Sequence, residues 1–162
     1  YFKNTNRISL AICDTGIGLW KGLKIWHPRT DEDAIQLALT PGISGTTKKE
    51  GGTSDNAGAG LFFIKSIAKT TRNNFTIYSG NAAYVLKKTR PDQKKPKLKA
   101  DPFEDSCVRK TGLARFDGTL VAVDISLDTT VEFKQMLDMI GNVYEAAIHE
   151  RKERKYREPN FI

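Results

Sequence analysis

The apolar positions along the chain fall into four short clusters and three longer, helically spaced ones. "RISLAIC" (Arg7 to Cys13) is β-branched and apolar and stops at Asp-Thr-Gly, so it predicts a buried strand that ends in a tight turn. "NFTIYS" and "AAYVLKK" flank Gly80-Asn81, a dipeptide suited to a hairpin turn that needs positive φ. "GTLVAVDIS" (Gly118 to Ser126) sets Leu120 and Ala122 against Val121, Val123 and Ile125, a strand apolar on nearly both faces.

Three helices follow from other signals. Thr30 with Asp33 three residues later fits a capping box ahead of "AIQLALT", placing a helix from about Asp31 to Thr40. The acids Asp31, Glu32 and Asp33 suit the positive end of that helix's dipole better than a metal site. A second helix begins near Gly60, with Leu61, Ile64, Ile67 and Ala68 on one face. The third is the longest, from about Thr130 to Arg157, and Phe133, Leu137, Ile140, Tyr144 and Ala147 make an apolar seam. The seam spans about two heptads, so it fits packing on the chain's own domain better than a coiled-coil dimer.

Two soft regions separate these elements. Pro41 to Gly60, "PGISGTTKKEGGTSDNAGAG", is too long and too rich in Gly, Ser and Thr for an ordinary connection. Thr89 to Gly112 is a second, Pro- and Lys-rich insertion between the hairpin and the last strand. The expected organisation is a domain over 1–128, with a lid at about 41–60 and a basic insertion at about 89–112, followed by a C-terminal amphipathic helix within 129–162.

At 162 residues, 39% apolar and 28% charged, the composition is that of a globular domain able to bury a core without disulfides. No apolar run approaches the roughly 20 residues of a membrane helix. Cys13 and Cys107 form no Cys-x-x-Cys pair, which points to a reducing, cytoplasmic setting and to no metal site; Cys13 is expected to be a buried, inert thiol. The chain opens at Tyr1 without an initiator Met and reads as a fragment. The net charge of +7 concentrates in Lys87 to Lys99 and Arg151 to Arg157. Such runs can hold nucleic acid through counterion release, but no aromatic residue is interleaved in the first, so a solvated surface is the simpler reading.

The chemistry lies in two glycine-bearing stretches. "AICDTGIGL" (Ala11 to Leu19) delivers Asp14 from a strand end beside Gly16 and Gly18: a carboxylate to accept from an amino group, and glycines that let a flat ring approach the backbone. "DNAGAGLFFIKSIAK" (Asp55 to Lys69) places small residues ahead of a helix, where backbone N–H groups can meet phosphate. No strand precedes those glycines, which excludes the dinucleotide-binding fingerprint.

Asp-Thr-Gly-Ile-Gly-Leu, the long loop, Gly-Ala-Gly-Leu opening a helix, a hairpin and a closing Gly-Thr strand together resemble the ATP-binding domain of the GHKL superfamily, the Bergerat fold. The likeness covers about Arg7 to Ser126, roughly three-quarters of the chain, and "GAGLFFIKSIAK" is most similar to the histidine-kinase and anti-sigma-factor-kinase branch. It implies an α/β (α+β) two-layer sandwich, a mixed sheet with helices on one face, and a signalling or regulatory ATPase or kinase that binds Mg-ATP. By that resemblance Asp14 takes the adenine amino group, Gly16 and Gly18 shape the adenine wall, and Thr119 stands near the base. Gly58, Ala59, Gly60 and Leu61 present N–H groups to the phosphates. Lys48, Lys49 and Lys65 are candidates to neutralise phosphate charge.

The family's Mg²⁺-binding Asn and its water-activating Glu sit on a helix well upstream of the Asp-Gly motif. Only 13 residues precede Asp14 and "YFKNTN" does not resemble that helix, so no metal ligand or catalytic residue is assigned and turnover by this chain alone is not expected. His149-Glu150 lies after the domain and its basic sequel does not continue a phosphoacceptor pattern; His27 reads as a surface or packing residue rather than a catalyst. Two other readings stay open: a non-enzymatic interaction module that keeps the fold and uses the basic loop and the C-terminal helix for a protein or nucleic-acid partner, and a DNA-acting ATPase of the same superfamily.

Overall fold

The computed structural model describes residues 1–53, 56–90, 92, 97–126 and 133–157. A 3₁₀ turn at Lys3–Thr5 leads into strand β1 (Arg7–Asp14) and a short helix α1 (Gly18–Gly22). After a second 3₁₀ turn (Lys24–Trp26) come α2 (Asp31–Leu39), α3 (Gly60–Thr70) and the hairpin β2 (Phe75–Gly80) and β3 (Ala82–Leu86). A third 3₁₀ turn (Pro102–Glu104) precedes β4 (Cys107–Lys110), the long β5 (Phe116–Ser126) and α4 (Phe133–Arg157). No helix among the described residues is long and apolar enough to cross a membrane.

The local signals act as their chemistry requires. Thr30 Oγ1 accepts from the Asp33 N–H at 3.0 Å while Asp33 Oδ2 accepts from the Thr30 N–H at 3.2 Å, closing the capping box. Gly80 turns the hairpin at φ 63, and Asn81 donates its N–H to Asp31 Oδ2 at 2.9 Å. One member of the acidic trio therefore holds the hairpin turn as well as facing the helix dipole.

The strands form one sheet in the order β1-β5-β2-β3-β4. The expected mixed sheet is corrected: every pairing is antiparallel. The helices between β1 and β2 do join two strands that run the same way, as a crossover should. β5 inserts between them and runs against both, so the two parallel strands never bond to each other. The fifth strand, β4, lies inside the basic insertion and had no apolar alternation to reveal it; its register sets Val108 against Val85 and Cys107 against Leu86.

Helices cover one face of the sheet, giving the two-layer α+β sandwich. Ile35 and Leu39 of α2 and Ala68 of α3 pack on Phe75, Ile77, Tyr84, Leu86 and Val123. Burying each large apolar side chain contributes about 1.5–3 kcal/mol. The reading of β1 as buried is corrected, because it is the edge strand and α2 and α3 reach only the centre of the sheet. Ile8, Leu10 and Ile12 share the helix-side face with Ile125, Val123 and Val121, yet are 39%, 49% and 64% exposed. Cys13 is likewise exposed rather than buried.

In α3 the buried face carries Phe62, Lys65, Ser66, Ala68 and Lys69, while Ile64, expected inside, is 38% exposed. Helix α4 packs on α3 through Met136 and Ile140, which meet Phe62 and Leu98. Its apolar seam is thus satisfied within the chain. Of the expected seam Ile140 and Ala147 are buried and Tyr144 packs on the same cluster; Phe133 is exposed, and Met136 and Ile148 join the buried side. Residues 129–132 and 158–162 of the expected helical segment lie outside the described residues.

Candidate functional site

Strand register gathers the first group of site residues. Asp14, the last residue of β1, pairs with Thr119 of β5, and Thr119 pairs in turn with Ser79 of β2. Three side chains capable of hydrogen bonding therefore stand in one row at one end of the sheet. Asp14 is exposed, and its Oδ1 accepts from the Gly16 N–H at 2.8 Å, an Asx turn that fixes the carboxylate to its own loop. The second carboxylate oxygen has no partner among the described residues.

Glycine is required around this turn for steric reasons. A Cβ on Gly118, whose φ is 140, would stand 2.0 Å from the Asp14 carbonyl oxygen. A Cβ on Gly18, at φ 71, would meet Ser79 Oγ at 3.1 Å and the Gly118 carbonyl at 3.3 Å. Ser79 ties these pieces together: its Oγ accepts from the Leu19 N–H at 2.9 Å and donates to the Gly118 carbonyl at 2.7 Å. Ser79 and Gly118 were not singled out from the sequence. Register placed Ser79, and the Gly in "DGTL" was the one available sign of Gly118.

The second group surrounds a cavity of about 370 Å³, within the usual range for small-molecule sites. Gly18 and Leu61 belong to its scaffold side, Gly58 and Gly60 to the start of α3, and Ile43 and Ser44 to the long loop. The N-terminus of α3 carries no side-chain cap, and a Cβ on Gly60 would meet nothing within 4 Å. Such an end offers N–H groups and the positive pole of the helix dipole to an anion. Gly58, at φ 66, packs its backbone on Ile43, whose carbonyl oxygen a Cβ would approach to 2.3 Å.

The structure thus brings Gly18, Gly58, Gly60 and Leu61 to one cavity and Asp14, Gly16 and Thr119 to the adjoining strand end, with Gly18 as the link. Ala59 is the N-cap of α3 and does not line the cavity. Within the expected lid, Ser54 and Asp55 lie outside the described residues. Lys48 and Lys49 are exposed and do not line the cavity; Lys48 Nζ lies 3.5 Å from His27 Nε2 on the surface.

The phosphate role considered for Lys65 is corrected. Its ammonium is turned into the protein, 2.8 Å from Asp105 Oδ2, with both side chains fully buried. Lys69 bonds the other oxygen of the same carboxylate, and the Tyr84 hydroxyl donates to the Pro102 carbonyl at 3.1 Å beside it. Burial holds the Lys65 ammonium below the usual lysine range despite Asp105, and pushes the Tyr84 phenol well above the usual tyrosine value. This cluster fastens the insertion to α3 and sheet; it is architecture rather than ligand chemistry.

Other candidates resolve in the same way. His149 is exposed and pairs with Glu153 at 3.4 Å. The basic run ending α4 is laced by pairs of Arg154 with Glu150 and Arg157 with Glu153, one turn apart. A larger opening of about 660 Å³ borders Trp20, Arg29, Glu32 and Arg115, but it contains none of the expected site residues and mixes both charge signs. Among the described residues, no group of three or more His, Cys, Asp or Glu side chains is placed to hold a metal ion.

Comparison of the chain with protein-family models, with curated proteins and with solved structures gives no match.

Proposed function

We propose that this chain is an adenine-nucleotide-binding domain of the GHKL, histidine-kinase-like type, with ATP or ADP spanning the strand end and the adjoining cavity. The observation that carries this is the placement of Gly18. It stands at once beside the Asp14, Thr119 and Ser79 row and in the wall of the cavity that opens on the uncapped start of α3. A carboxylate with one oxygen engaged and one without a partner suits the exocyclic amine of adenine. The uncapped start of α3, on the cavity that Gly18 shares, suits phosphate, so the two groups offer partners for the two ends of a nucleotide.

The proposal is for binding, in a signalling or regulatory protein; these residues are given no part in hydrolysis or phosphoryl transfer. Magnesium would arrive on the nucleotide's own phosphates. Calorimetric titration with Mg-ATP and Mg-ADP tests it, with Asp14→Asn as control. Exchanging the carboxylate for an amide turns one acceptor into a donor facing the adenine amine, and losing a hydrogen bond to a charged group costs about 1.5–3 kcal/mol. The expected result is binding by the wild type that weakens by more than about tenfold in the variant. Absence of binding by the wild type, or equal affinity in the two, overturns the proposal.

A further inference from the structure

The long loop lies between the cavity and α4. Its inner side supplies Ile43, Ser44 and Gly58 to the cavity wall. Its outer side is held by one face of α4, at positions 144, 148 and 151, successive turns of the same helix. Tyr144 donates its hydroxyl to the Ala57 carbonyl at 2.6 Å. The Arg151 guanidinium donates to Glu50 Oε2 at 2.8 Å and also to the Pro41 carbonyl. Between them Ile148, buried, packs on Gly42, where a Cβ would stand 2.8 Å from its Cγ1.

These contacts grip the loop at both ends, because its neck is itself closed by the Gly42 N–H donating to the Gly58 carbonyl at 3.1 Å. Ile43 and Gly58 cannot shift in the cavity wall without moving Gly42 and Ala57, which α4 holds. Toward its N-terminal end the same face of α4 is committed elsewhere: Met136 and Ile140 are packed on Phe62 and Leu98. The helix therefore has one end rooted in the core and one end on the loop.

We infer that α4 is a latch on the glycine-rich loop, so that docking of its Tyr144, Ile148 and Arg151 face sets the affinity of the cavity behind the loop. This rests on the reading of that cavity as part of a nucleotide site. In the latched arrangement the loop already forms a wall of the cavity, so a nucleotide meets an ordered surface. Release of α4 makes that arrangement one of several and lowers the apparent affinity by the fraction of time it is absent. Coupling is reciprocal, so nucleotide in turn tightens α4 on the loop.

The test uses the full chain with Tyr144→Phe and Arg151→Gln. Phe at 144 retains the ring contacts with Phe62 and Phe63, so the packing of α4 on α3 is kept. Without nucleotide, both variants are expected to raise amide hydrogen exchange across residues 41–53 several-fold, while β2, β3 and β5 keep wild-type rates. Unchanged exchange in that loop overturns the latch. With Mg-ATP, both variants are expected to bind about three- to tenfold more weakly than wild type, the scale of one or two lost loop contacts. Wild-type affinity in both variants overturns the coupling. A wild-type chain that binds no Mg-ATP refutes the nucleotide reading instead, and loop exchange then decides the latch by itself.

Discussion

Two buried lysines share one carboxylate, and that imbalance makes opposite predictions for the two halves of the cluster. In Asp105→Asn the Lys65 and Lys69 side chains, 0% and 9% exposed, lose their shared counter-ion. Breaking a buried pair from one side costs about 3–5 kcal/mol, because the remaining charge is left buried without its counter-ion. In Lys65→Met the surplus cation disappears, the Lys69–Asp105 pair stays one to one, and the aliphatic stem still packs beside Phe62, whose ring centre lies 5.3 Å from the ammonium. That variant is expected to stay within about 1 kcal/mol of wild type, since replacing a buried ion by a well-packed apolar group is often neutral.

Urea unfolding read by circular dichroism measures both. With a slope of about 2 kcal/mol per molar, Asp105→Asn lowers the midpoint by about 2 M and Lys65→Met by less than about 0.5 M. Equal losses in the two variants, or a loss under about 1 kcal/mol for Asp105→Asn, would refute the reasoning. Either result would mean that water compensates the cluster in solution and that burial does not set its energetics.

Other consequences follow from the same geometry. Burial lowers the Lys65 pKa, so folding binds fewer protons there than the unfolded chain does; stability rises with pH from the depressed value toward the ordinary 10.5, and Lys65→Met removes that rise in a pH series of melting temperatures. Tyr84 acts oppositely, because its raised pKa gives stability that is present below pH 10.0 and is lost progressively above it, a loss Tyr84→Phe should abolish. Burial raises the Asp124 pKa, but hydrogen bonds from Ser9 and Asn74 more than offset this and hold it below 3.8. Its stabilising share is therefore lost as pH falls through that depressed value, and Asp124→Asn should flatten this part of the acid limb. Gly118→Ala, at φ 140 and against the Asp14 carbonyl, is expected to cost at least about 1–3 kcal/mol and to weaken Mg-ATP binding in calorimetry. Gly60→Ala, which meets open space and keeps its N–H, is expected to retain binding and to gain up to about 1 kcal/mol in helix stability.

Local chemistry in the chain was legible wherever one segment decided the outcome. The capping box at Thr30 and Asp33, the Gly80 hairpin and the start of α3 at Gly60 all depend on residues within a few positions of one another. What failed was set by neighbours distant in sequence. "RISLAIC" has the composition of a central strand, but burial is decided by which helices reach it, and α2 and α3 stop at the middle of the sheet. Lys65 reads as a candidate for phosphate, and Lys69 draws no reading, because their counter-charge, Asp105, lies 40 and 36 residues away inside a lysine-rich insertion. Without that carboxylate in view, a lysine one turn past a glycine-rich helix start points to phosphate.

The candidate site divides along the same line. Asp14, Gly16 and Gly18 could be singled out because the turn that uses them is local, and Gly58, Gly60 and Leu61 because they open a helix. Ser79 could not, since its role exists only through the β2 and β5 register that sets it beside Thr119. The α4 contacts were equally hidden: Tyr144 was assigned to the helix seam, and Arg151 to a basic tail. In the structure Arg151 bonds across 101 residues to Glu50, which takes it out of the basic tail, and Tyr144 keeps its seam contacts with Phe62 and Phe63 while its hydroxyl bonds across 87 residues to Ala57. A polar residue on the buried side of an amphipathic helix therefore asks which carbonyl or carboxylate it reaches. Here the answers all lie on the loop that walls the cavity, which makes the C-terminal helix part of the site's construction.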